Sequence, residues 1–98
     1  MTNKLKIPKR FKLLGETITV RYCNDMLLNG SYGMASYKNN EIVLQDTNTP
    51  VEKREHTFYH ELTHHILSTM GEDKICSNEK FVDVFSGLLH QAIQTSEY

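Results

Sequence analysis

His60-Glu61-Leu62-Thr63-His64 sets two imidazoles four residues apart, with a carboxylate beside the first. On an α-helix, residues four apart share one face, about one turn from each other. Two imidazoles so placed can bind one metal ion. Glu61 then stands where it can take a proton from a water that the ion polarises. The pattern fixes three of five positions, which chance rarely supplies in a chain of 98 residues.

A metal centre of this kind needs a third protein ligand. After a short connector at 71–76, a second helical pattern opens Ser77-Asn78-Glu79-Lys80-Phe81-Val82-Asp83. Asn78-Glu79 followed by Asp83 resembles the second motif of the gluzincin metallopeptidases, the thermolysin-like clan. The resemblance implies that Glu79 is the third zinc ligand and that Asp83 braces a zinc-binding histidine. Two histidines, a glutamate and one water are a known catalytic zinc set, and a carboxylate behind a ligating imidazole fixes its tautomer.

Strands, then the H-E-x-x-H helix, then the glutamate helix follow one another over residues 33–92. That order is similar to the small ImmA/IrrE-like and SprT-like domains, many of them carried by phages and mobile elements. The resemblance implies a zinc endopeptidase with one Zn2+ per chain, acting on a protein or peptide substrate, in the ImmA case often a transcriptional repressor. Larger members carry a C-terminal domain that is not expected here. No tyrosine or histidine is assignable from the sequence as the donor that would stabilise an oxyanion.

Two other function classes stand beside the peptidase. One is a catalytically weak, zinc-stabilised protein-binding module. The other is a metal-free interaction protein whose histidines are incidental. Glu61 favours the enzyme, because a purely structural site has no use for a base next to an open position.

The remaining histidines have other expected places. His65 points away from the pair, toward packing or surface. His56, one turn before His60, reaches the cleft rim. His90 shares a face with Glu79 but lies about three turns along, too far to ligate with it. Cys23 and Cys76 are distant in sequence and are expected as free thiols of a reducing cytosol, with a zinc role for Cys76 left open by its closeness to Glu79.

Composition sets the bounds. Hydrophobic content of 39% and charged content of 23% are ordinary for one globular domain, here 1–98. A net charge of −1 offers no global field to recruit nucleic acid. Neither a signal peptide nor a membrane span is expected. Lys4, Lys6, Lys9, Arg10 and Lys12 crowd the start, reading as a solvated arm or lysine-protected edge, alternatively a dock for an acidic partner.

These elements must hold the site. Alternation of Ile18, Val20 and Tyr22 with Thr17, Thr19 and Arg21 predicts a strand, paired with 11–14 through a turn at Gly15-Glu16. A second hairpin is expected over 33–45, turning at Asn39-Asn40. Together they predict an α+β fold: an antiparallel sheet of about four strands over 11–45, packed on the H-E-x-x-H helix and the glutamate helix. Glu41, Ile42, Val43, Leu44 and Gln45 are expected as the edge strand that holds an extended substrate.

Thr49-Pro50-Val51-Glu52 predicts a capping box opening a helix from 50 to about 70, ended by Gly71. Phe58, Tyr59, Leu62, Ile66 and Met70 are its expected core arc. In the second helix, 77 to about 95, the expected core stripe is Phe81, Phe85, Leu88, Leu89 and Ala92, with Glu79, Asp83, Ser86 and His90 on another face.

Overall fold

The structure is a computed structural model and describes residues 7–98. It is an α+β fold: strands β1 (Arg10–Leu13), β2 (Glu16–Cys23), β3 (Gly33–Ser36) and β4 (Glu41–Gln45), then helices α1 (Val51–Met70), α2 (Asp73–Cys76) and α3 (Glu79–Thr95). A 3-10 turn at Met26–Asn29 joins β2 to β3. Among the described residues no helix is long and apolar enough to cross a membrane. Lys4 and Lys6 of the basic arm lie outside the described residues. Arg10 and Lys12 do stand exposed on an edge strand.

The sheet order is β1-β2-β4-β3. Both hairpins are antiparallel as expected, but β2 and β4 run parallel, Val20 opposite Ile42 and Tyr22 opposite Leu44. The expected all-antiparallel sheet is therefore mixed. From β2 the chain passes to the far edge, forms β3 there, and turns back inward as β4. The reason lies in the unbroken apolar run of β4: Ile42, Val43 and Leu44 are at most 2% exposed. A strand buried on both faces needs neighbours on both sides. Glu41 to Gln45 are thus an interior strand and not the expected edge; the edge strands are β1 and β3.

Leu14 and Gly15 form the tight turn of the first hairpin, both at positive φ, so it sits one residue earlier than Gly15-Glu16. Buried Gln45 ends β4 and ties the following loops down. Its amide oxygen accepts from Met26 N–H, and its amide nitrogen donates to the carbonyls of Asn24 and Thr47. Such full satisfaction is what keeps a buried amide affordable.

One face of the sheet carries Ile18, Val20, Ile42 and Leu44 onto Phe58 and Tyr59 of α1. Phe11 adds an edge-to-face contact with Phe58, centroids 5.9 Å apart. A smaller cluster, Leu67, Cys76 and Val82, joins the three helices.

The helix ends depart from expectation at one point. Pro50, not Thr49, is the N-cap of α1; its extended backbone offers no side-chain cap, and the Thr49 hydroxyl donates to Thr47 O. Because Pro50 itself is extended, at ψ 152°, the helix starts one residue later than a Thr49 cap requires. Gly71 closes α1 at φ 78°, its N–H and that of Glu72 bonding back to Leu67 O. The connector 71–76 contains the short helix α2.

Both predicted core stripes shift. In α1, Met70 is exposed while Leu67 is buried. In α3 the buried residues are Val82 and Ser86, whereas Phe81, Phe85 and Leu88 are exposed and Ala92 lies at the surface. Helix α3 docks on α1 through the face that carries Glu79, Asp83, Ser86 and His90.

Candidate metal centre

Three local features build the site. Helical spacing in α1 puts His60 and His64 side by side, ring centroids 5.0 Å apart. The Asn78 side chain caps α3 by accepting from Phe81 N–H at 3.0 Å, which makes Glu79 the first residue of that helix. A carboxylate suits a helix N-terminus. The short helix α2 then turns the chain so that the start of α3 meets the middle of α1.

The geometry is compact. His60 Nε2 lies 3.2 Å from Glu79 Oε1, and His64 Nε2 lies 3.2 Å from Glu79 Oε2. One donor atom from each of the three residues falls within 4.8 Å of the others. Two imidazoles and a carboxylate so gathered could hold a metal ion.

The rings are held from behind by unlike partners. His60 Nδ1 lies 3.5 Å from Asp83 Oδ1, the bracing position expected for Asp83. His64 Nδ1 lies 3.5 Å from Cys76 Sγ, whose thiol also donates to His64 O. The sulfur is therefore behind the His64 ring, while Nε2 faces Glu79. Cys76 packs against a candidate ligand and falls outside the group of three donors, and both cysteines are free thiols.

Glu61 is 9% exposed, and its pKa is raised to about 7. Burial is the largest cause; His60 opposes it, Glu79 adds to it, and a backbone hydrogen bond from Ala35 on β3 opposes it. A carboxylate poised near neutrality is matched to moving protons. The His64 pKa is lowered, first by burial, against the upward pull of Glu79. A neutral imidazole is the form that binds metal.

A cleft of about 260 Å³ opens beside His60, Glu61 and Asp83, and His56 and Tyr32 line it. Gly30, Ser31 and Gly33 also line it, Gly33 being the first residue of the edge strand β3. Gly33 lets that strand lie close: a Cβ there would meet the Thr57 methyl at 2.5 Å.

The other histidines find structural places. His65 is buried and its Nε2 lies 2.9 Å from Glu41 O. His90 pairs with buried Glu55 at 3.3 Å and stacks on Tyr59.

Sequence reasoning missed Cys76 as a brace, Ala35 as the partner of Glu61, and Tyr37, whose hydroxyl lies 3.3 Å from Cys76 Sγ. No spacing rule links these residues, since each reaches the site through the fold. Compared with known proteins, the chain matches no family model, no curated protein and no solved structure.

Proposed function

We propose that the chain is a cytosolic zinc-dependent endopeptidase acting on a protein substrate, with His60, His64 and Glu79 as ligands and Glu61 as general base. The observation that carries this reading is the convergence of those donor atoms within 4.8 Å beside a buried carboxylate of pKa about 7. Ion pairing alone is a weak reason for that convergence. The Glu79 side chain is 69% exposed, and exposed pairs contribute at most about 1 kcal/mol.

Bound zinc would act as a Lewis acid toward water and the peptide carbonyl. The chain's own residues do the rest. Glu61 takes the proton of the attacking water as the new C–O bond forms, then passes it to the leaving nitrogen as the C–N bond breaks. Asp83 and Cys76 hold the imidazoles in orientation. The β3 edge offers backbone groups to an extended substrate.

The exposed apolar face of α3 favours a second reading, a zinc-stabilised module that grips a partner. One experiment separates them: new protein N-termini in cells expressing wild type or Glu61→Gln. The peptidase produces N-termini that the variant lacks, a loss of about 10²–10⁴-fold in cleavage with zinc retained. Identical sets with zinc bound would establish the binding module instead.

A further inference from the structure

The cleft reaches well past the metal site, and its two ends differ in charge. The chain through β3 runs alongside α1 in the same direction: Gly33 lies against Thr57, Ala35 bonds to Glu61, and the Tyr37 ring packs on His65. Two residues of strand advance about 6.7 Å and four of helix about 6 Å, so the two elements keep step. One helical turn before Thr57, Lys53 meets Tyr32, its Nζ 4.6 Å from the ring centroid. Both line the cleft, as do His60, Glu61 and Asp83. The carboxyl groups stand at the metal end, Glu61 next to His60 in the chain and Asp83 Oδ1 3.5 Å from His60 Nδ1. Among the described residues that line the cleft, Lys53 is the sole permanent cation.

We propose that Lys53 sets the specificity of this cleft, and that the substrate carries an Asp or Glu about three residues from the bond that is cut. This rests on the peptidase reading. Lys53 precedes His60 by seven residues, which is about 10 Å along the helix. An extended substrate covers that distance in about three residues. Among the described residues no carboxylate forms an ion pair with Lys53. The Tyr32 ring holds the ammonium in place through its negative face, yet leaves its charge and N–H groups free for an anion. Glu52 lines the adjoining cavity of about 530 Å³ but not the cleft itself, so the ammonium is approached by substrate from its uncompensated side.

The test compares new protein N-termini in cells expressing the full chain as wild type, Glu61→Gln, Lys53→Glu, Lys53→Gln or Lys12→Glu. Sites that need Glu61 should carry Asp or Glu two to four residues from the cut, on one side of it, in roughly 2–5-fold excess, the worth of one exposed ion pair. Lys53→Gln should lose that excess, and Lys53→Glu should replace it with Lys or Arg at the same position. Lys12→Glu, on the opposite edge strand, should keep it, which separates a local pairing from general attraction of acidic proteins. Where a single protein is cut, changing its acid to Lys should make it a better substrate for Lys53→Glu than for wild type. Lys53 is exposed, so the fold should hold in both variants, and far-UV circular dichroism checks it. Glu61-dependent sites without the acid, or an excess that survives in Lys53→Gln, overturn the role of Lys53 and leave the peptidase standing. Absence of any Glu61-dependent site overturns the peptidase reading and this proposal with it.

Discussion

Helix α3 has two faces, and the polar one lies along α1. Glu79 and Asp83 reach the α1 histidines while staying 69% and 63% exposed, Ser86 is at 0%, and His90 meets Glu55, while Phe81, Val84, Phe85 and Leu88 make no such contacts and are between 41% and 62% exposed. Apolar burial alone would turn the helix the other way. The polar face instead finds specific partners: Glu79 meets both histidines, Asp83 meets His60, and His90 meets Glu55. The residues that could do chemistry are thus also those that dock one helix on the other. The candidate site and the helix packing share one interface, and the amphipathic pattern of α3 reports something other than the core.

The strongest way to break this comparison is to remove the polar face at its metal end. Wild type should carry one zinc per chain, and Glu79→Ala should lose more than about 100-fold in zinc affinity, beyond what outer partners of ligands cost. Its melting temperature should then no longer rise with added zinc, because only a folded site gains stability from binding. Asp83→Asn should keep the fold and lose about 10–100-fold. Zinc content by mass spectrometry and thermal melts read both. Wild-type affinity in Glu79→Ala would remove that residue from the ligand set.

How much could be read beforehand follows the range of each signal. H-E-x-x-H lies within one helix, so the His60–His64 pairing follows from local geometry; Asn78 likewise marks the start of α3. Two errors have a common cause. Hairpins are local and predict an antiparallel sheet, whereas the inner place of β4 is written only in the unbroken Ile42-Val43-Leu44 run. The stripe of α3 rests on periodicity, which finds an apolar face but not what covers it. Cys76 reaches His64, and Tyr37 reaches Cys76, from different elements, and no periodicity encodes that.

A smaller effect sharpens the picture from inside α1. Burial raises the Glu61 pKa from the usual 4.5 to about 7, so the folded chain binds that proton more tightly than the unfolded chain does. Stability of the zinc-free protein should therefore fall as pH rises through that interval and level off above it. The shift corresponds to about 3 kcal/mol. Glu61→Gln still accepts from Ala35 N–H and carries no charge. With zinc removed by a chelator, the variant should be the more stable protein at pH 8, and the gap should close toward pH 4.5. Denaturant unfolding at both pH values measures it, and a pH-independent gap would mean that Glu61 is already well solvated.

The smallest effect belongs to the other face of α3. Phe81 and Phe85 stack on each other, centroids 5.7 Å apart, and otherwise face outward. Such a pair, four residues apart on a helix, contributes about 0.2–0.5 kcal/mol. Phe85→Gln should therefore shift unfolding by no more than about 0.5 kcal/mol and leave zinc affinity unchanged. Val82→Ala, three residues earlier but fully buried, should cost roughly 1–3 kcal/mol through the cavity it leaves. The contrast between these neighbours tests which side of α3 is inside. If Phe85→Gln costs as much as Val82→Ala, the outer face is covered in solution. A second copy of the chain would then make the loss depend on protein concentration, because association stabilises by mass action. A loss independent of concentration would place Phe85 inside the monomer and overturn the docking of α3 by its polar face.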